Sequence, residues 1–344
     1  MMEDLSKQTS WTVLHGYPNA DVEASWREFL SNADFAAHYV SPEYFREPFV
    51  RDKEPFVVLA WQGDRIIAAV SGTHEEQQLV CGLMSRPQMC FDQTANLEAA
   101  CDALFGGLLD EGKSAKLITL YSWLPLDSFS KRGFQCQEEE GVVMLDLTKG
   151  SDELFKGFAN TRRTDIRNAI KRGIEVVIAG TREEFKAYYD IYVDWCNRKG
   201  IESSSFETLA EALSLENRRL FLARYEGKVI AGTIIRLYPG EMIEYAANSS
   251  FVEYLKLRPN DLLQWRVVEW ACSAGYKKYS LGGAHLFSRR MGGTIVPIYR
   301  YRFDRTWLRR YELKEALGKS GRKMFNALPD SVQTQVRRAF KNQE

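Results

Sequence analysis

"RRLFLARYEGKVIAGTIIRLYPGEMIEYAAN", residues 218–248, contains three runs rich in β-branched and aromatic residues, parted by turns at Glu226-Gly227 and Pro239-Gly240. That pattern predicts three consecutive antiparallel strands. Downstream, "NDLLQWRVVEWACSAG" has helical periodicity and "KKYSLGG" reads as a strand. Upstream, "TREEFKAYYDIYVDWCNRKG" opens with Thr181 and Glu184 in capping-box spacing and continues as an amphipathic helix.

The first half of the chain repeats this order. From Pro55, "FVVLAWQGDRIIAAVSGTHEEQQLVCGL" reads as a meander, Asn96 to Gly112 as a helix, and Lys116 to Trp123 as a buried strand. A short helix follows near Leu126 to Arg132, and "GFQCQEEEGVVMLDL" reads as a closing hairpin. The repetition, without detectable residue identity, predicts an internal duplication: two α+β domains at residues 11–150 and 151–327, each a mixed sheet flanked by helices. Residues 328–344 are a basic tail, a terminal helix or a frayed end, to which no function is attached.

The formal net charge of the 344 residues is zero, but residues 1–150 carry 12 Lys+Arg against 23 Asp+Glu, leaving 34 against 23 for the rest. Opposite signs favour docking of the halves, and the basic half suggests an anionic ligand. The polar, acidic N-terminus lacks a signal-peptide pattern, and no apolar run is long enough to span a membrane, so a cytoplasmic protein is expected. Six scattered cysteines, four histidines and the lack of C-x-x-C, H-E-x-x-H or G-x-S-x-G argue against zinc and serine hydrolases, and no metal is expected.

"NTRRTDIRNAIKRG", residues 160–173, spaces Arg163, Arg167 and Lys171 by four, which puts three cations on one face of a helix. Ile166 and Ile170 would line the neighbouring, docked face; Asn160 or Thr161 would cap the start and Gly173 would end it. On this reading Arg162 and Arg172 lie off the stripe and are the more dispensable cations. The stripe is either a solvated face or an anion-binding one.

Three stretches carry a resemblance: R-x-x-I-R-x-A-x-K-x-G from Arg163 to Gly173, "LRPNDLLQWRVVEWACSAGYKKYSLGG" from Leu257 to Gly283, and "LFSRRMGG" from Leu286 to Gly293. With the element order, these resemble the GNAT acyltransferase superfamily. They are most similar to its tandem-domain branch: the Fem-type peptidoglycan bridge aminoacyltransferases and the acetyltransferases of cellulose and exopolysaccharide operons. The resemblance implies two tandem GNAT-like domains with centrally splayed sheets. It also implies acyl or aminoacyl transfer from acyl-CoA or aminoacyl-tRNA, as co-substrate rather than bound cofactor, to an amine of a small metabolite or envelope precursor. A tRNA partner comes with the second donor; no DNA partner is expected.

The resemblance further implies Glu244, on the central meander strand, as proton relay; His285, just past Gly282-Gly283, is a second candidate because a histidine accepts a proton near neutral pH, the alternative being a loop or surface residue. Arg258 and Asn260, at a helix start that either holds an anion or is simply capped by Pro259 and Asn260, would line the cleft with Arg289 and Arg290 beside Arg163, Arg167 and Lys171. "KLRPN" before that helix is not a G-x-G pyrophosphate loop, and the glycines of "GGAHLFSRRMGG" would let backbone approach a ligand or form a hairpin loop. One departure stands out: where Fem-type enzymes carry Phe-Lys-x-Gly-x-Gly, this chain has Ser288 in place of the lysine. The long charged helical hairpin of some Fem-type enzymes is also missing. A competing reading is a non-catalytic anion- or tRNA-binding protein that keeps the fold.

Overall fold

The computed structural model describes residues 9–326, so the expected tail at 328–344 lies outside the described residues. The strands are β1 (Thr9–Leu14), β2 (Pro55–Gln62), β3 (Arg65–Glu75), β4 (Gln78–Cys81), β5 (Met89–Phe91), β6 (Leu117–Ser122), β7 (Gln135–Asp146), β8 (Glu175–Ile178), β9 (Arg218–Tyr225), β10 (Lys228–Leu237), β11 (Met242–Ser250), β12 (Lys278–Gly283) and β13 (Thr294–Asp304). The helices are α1 (Ala20–Ser31), α2 (Leu97–Glu111), α3 (Asp127–Lys131), α4 (Ser151–Gly157), α5 (Asn160–Lys171), α6 (Arg182–Lys199), α7 (Phe206–Ser214), α8 (Pro259–Ser273), α9 (Leu286–Arg289) and α10 (Arg310–Asn326).

All these strands join one mixed sheet in the order β1-β2-β3-β4-β6-β13-β7-β12-β11-β10-β9-β8, with β5 on β3. The duplication is visible in it. An antiparallel meander ends in β4, parallel to β6, in the first half, and in β11, parallel to β12, in the second. The parallel partner follows a helix in each case, α2 or α8, because parallel pairing needs a crossover.

The halves are joined by exchange of their last strands. β7, from the first half, pairs with β12 of the second, whereas β13, from the end of the chain, pairs with β6 of the first. β7 and β13 also pair with each other along the middle of the sheet. The hairpin expected at 133–147 is therefore a single strand. Within it, Gly141 has φ +82° and sits where β7 shifts register against Val296–Ile298; an added Cβ would lie 2.3 Å from the Val296 carbonyl oxygen. Gly141 is a close-approach point inside a strand, not a reversal.

α8 packs on one sheet face through Leu262, Leu263, Val267 and Val268, against Ile235, Ile243 and Tyr279. α6 and α7 cover the opposite face through Phe185, Tyr188, Leu209 and Leu213, against Leu222 and Ile234. The Thr181–Glu184 capping box opens α6 as expected. α1 and the segment that follows it, with Trp26, Leu30, Tyr39 and Tyr44, extend this layer over the first half and reach Met242. Among the described residues, no helix is long and apolar enough to cross a membrane.

Candidate active site

β11 is where the two faces meet the chemistry. Its parallel pairing with β12 covers only Met242–Glu244 against Lys278–Ser280; β12 then continues towards β7, while β11 runs on to Ser250 without a partner on that side. The sheet splays there, and β11 backbone groups face the gap. On the other side, β10 and β11 slip register between Ile234 and Ile235, so that Ala246 is an extra residue. Strict alternation puts Ala247 with Tyr245, away from Ala246. The bulge instead lets Ala246 and Ala247 both pack towards α6 and α7, while Tyr245 packs with the α8 layer.

The N-terminus of α8 stands at the end of this gap. Asn260 Oδ1 accepts from Asn248 Nδ2 at 3.0 Å and from Ser250 Oγ at 2.7 Å, which ties the first turn to the end of β11. The helix begins at Pro259, one residue before the expected start, and its N-cap is Arg258 in the left-handed region (φ 66°), with no side-chain cap. A side-chain cap is less needed here because Pro259 lacks one of the N–H groups that would otherwise need a partner.

α5 packs across this helix start. Arg162 is fully buried; its Nη1 donates to Asp261 Oδ1 at 2.5 Å, its Nη2 donates to the Phe287 carbonyl at 2.6 Å, and its guanidinium lies 4.0 Å from the Phe287 ring centroid. Burial pushes the Asp261 carboxyl up, against the opposing pull of Arg162. One turn further, Asp165 pairs with Arg258 at 3.4 Å and with Arg290 at 3.3 Å, and Arg290 also donates to Thr161 Oγ1 at 2.8 Å. Two of the expected cleft cations, Arg258 and Arg290, are thus brought together on one carboxylate.

The expected division of α5 is corrected in two respects. Arg162, read as dispensable, is the buried cation, because it shares the i, i+4, i+7 face of Ile166 and Ala169. Ile170, read as docked, is 45% exposed and lies on the face of Arg163 and Arg167. Arg163 donates to the Lys156 carbonyl at 2.5 Å, and Arg167 lies 5.4 Å from the Phe155 ring centroid. Lys171 is exposed. The N-cap is Ala159 rather than Asn160 or Thr161, without a side-chain hydrogen bond.

The "LFSRRMGG" segment is a pinned helical turn. Ser288 is buried and its Oγ donates to the Leu281 carbonyl at 3.3 Å, while Arg289 Nε donates to the Ala284 carbonyl. Its glycines approach the protein's own backbone: a Cβ on Gly292 would lie 2.2 Å from the Gly157 carbonyl oxygen, and one on Gly293 2.4 Å from that of Met144. His285 is exposed, just before α9.

Glu244 lies apart from these cations, on the opposite sheet face. It is 4% exposed, stands opposite Arg236 on β10, and its Oε2 is 3.7 Å from Arg236 Nε with no hydrogen-bond partner. Arg236 borders a cavity of about 330 Å³ between the halves, whose walls include Tyr39 and Arg86 from the first half and Tyr188, Arg218 and Ala246 from the second. Sequence reasoning missed this cluster because its members lie far apart in the chain. Behind it, Glu47 binds both Arg218 and His38. Burial pushes the Glu47 carboxyl up, but the His38 hydrogen bond and the Arg218 charge overcome this and hold it at about 2. Burial, aided by Arg218, lowers His38 to about 4.

Comparison with known proteins agrees with this geometry. Residues 159–290 match the acetyltransferase (GNAT) domain family. Among solved structures, FemX is similar at 13% identity, covering 85% of this chain and 98% of its own, with a TM-score of 0.64. The C-terminal domain of a putative lysylphosphatidylglycerol synthetase from Agrobacterium fabrum is similar at 14% identity, 87% and 97% coverage and a TM-score of 0.60. A tandem GNAT protein from the clavulanic acid biosynthesis pathway is similar at 11% identity, 87% and 99% coverage and a TM-score of 0.57. No curated protein matches the chain. The splayed strands, the duplicated meander and these similarities together give the chain a Fem-type tandem GNAT fold, with an acetyltransferase (GNAT) domain match at residues 159–290.

Proposed function

We propose that the protein is an N-acyltransferase that moves an acyl or aminoacyl group from a polyanionic carrier, acyl-CoA or aminoacyl-tRNA, to an amine of a small metabolite or envelope precursor. The observation that carries this reading is the splay of β11 from β12, with the α8 N-terminus at its end and Glu244 at its root. The carrier's phosphates would meet the α8 N-terminus and the surrounding arginines, where helix N–H groups and cations favour an anion. The acyl carbonyl would lie in the gap, with a β11 backbone N–H donating to the developing oxyanion.

The acceptor amine would enter from the cavity on the other face. Its nitrogen attacks the carbonyl carbon, the C–S or C–O bond to the carrier breaks, and the amine proton passes to Glu244, directly or through one water. Glu244 is favoured over His285 because it is buried beside the cavity and has an oxygen without a hydrogen-bond partner. Incubation with a panel of acyl-CoAs, or with charged tRNA, and a mixed amine library, followed by mass spectrometry, tests the proposal. Acylated product with one donor class is expected. No product with either donor overturns it in favour of a non-catalytic binding protein.

A further inference from the structure

The cavity beside Glu244 contains an imbalance of charge. Arg86, Arg218 and Arg236 border it, and the nearby carboxylates are Glu47 and Glu244. Glu47 engages Arg218 and Glu244 faces Arg236. Arg86 has no carboxylate partner among the described residues, and its buried Nε has no hydrogen-bond acceptor. Arg86 and Arg236 both lie on the Tyr39 ring, 4.0 and 4.9 Å from its centroid, so two like charges share one aromatic partner. An anion between them would relieve that repulsion.

Apart from Ser204, the remaining walls are apolar or aromatic, with Leu209, Leu213 and Ile234 beside Tyr188 and Tyr192. A volume of about 330 Å³ is at the small end of ligand pockets. It suits a compact solute with one charged end. We propose that the acceptor is an amine of amino-acid size that also carries a carboxylate, held by Arg86 and Arg236 while its apolar part rests against α6 and α7. A single carboxylate matches the one unbalanced guanidinium, and the planar fork of arginine suits it. The proposal rests on the acyltransfer reading for the amine's role, but the anion site can be tested without turnover.

The test uses calorimetric titration of the full chain with the common amino acids and with their carboxamides, for the native protein and for Arg86→Gln. At least one amino acid is expected to bind ~tenfold or more tightly than its carboxamide, with most of that preference lost in Arg86→Gln. Equal binding of the two forms, no binding by any amino acid, or a preference that survives in Arg86→Gln would overturn it. The native comparison stands even where the variant folds poorly. Acyl transfer to carboxamides alone would overturn the carboxylate site and leave acyltransfer standing. Carboxylate-dependent binding without turnover on any donor would do the reverse.

Discussion

Arg162 and Asp261 are 99 positions apart and form a buried ion pair that fastens α5 to the first turn of α8, with the Phe287 carbonyl as a further acceptor. Removing one member of such a pair leaves the other charged and buried. Arg162→Ala is expected to cost about 3–5 kcal/mol in urea unfolding. Arg163→Ala, at a partly exposed position, is expected to cost no more than about 1 kcal/mol. Similar costs for the two would refute the assignment of Arg162 to the buried face.

Glu244→Gln preserves size and removes the proton acceptor. It is expected to lower kcat by about 10²–10⁴-fold with an unchanged fold by circular dichroism. His285→Ala is expected to leave turnover unchanged. Steady-state kinetics on the donor and amine identified by mass spectrometry decide between them, and the opposite pattern would transfer the role to His285.

His38 makes stability depend on pH. Its Nε2 faces Glu47 at 3.0 Å and its Nδ1 faces Asn217 at 2.7 Å, an arrangement suited to the neutral ring. Because its folded pKa is depressed to about 4 from 6.5, the unfolded chain takes up the proton first. The contribution is therefore complete above about pH 6.5 and is lost as pH falls towards 4, at up to about 1.4 kcal/mol per pH unit. Urea midpoints measured from pH 7 to 4 should fall, and His38→Gln should flatten that fall. An unchanged slope in the variant would show that another group is responsible.

Gly141→Ala combines a left-handed backbone with a contact of 2.3 Å to the Val296 carbonyl oxygen. Gly240→Ala shares the positive φ, 75°, but meets open space. Thermal unfolding should show a cost of about 1 kcal/mol for Gly240→Ala and distinctly more for Gly141→Ala. Equal losses would mean that the strand relaxes around the new methyl group.

The meander at 218–248 and the repeated helix-strand order were legible because apolar period and turn residues are local signals. The stretch 133–147 read as a hairpin for the same reason, since a glycine between two strand-like runs resembles a turn, and only the neighbouring β13 makes Gly141 a bulge. Arg162 could have been found, since it keeps helical register with Ile166 and Ala169, but its charge outweighed that spacing. The bulge at Ala246 and the grouping of Arg86, Arg218 and Arg236 were not legible, because both depend on contacts between distant strands and segments.

The exchange of β7 and β13 has a consequence for biosynthesis. β6 is synthesised by residue 122, yet its neighbour β13 is complete only at residue 304. At roughly 5–20 residues per second, the edge of β6 waits on the order of ten seconds or more for its partner. The nascent first half must remain soluble with an unfinished sheet, and its acidic composition, by self-repulsion between chains, suits it to that interval.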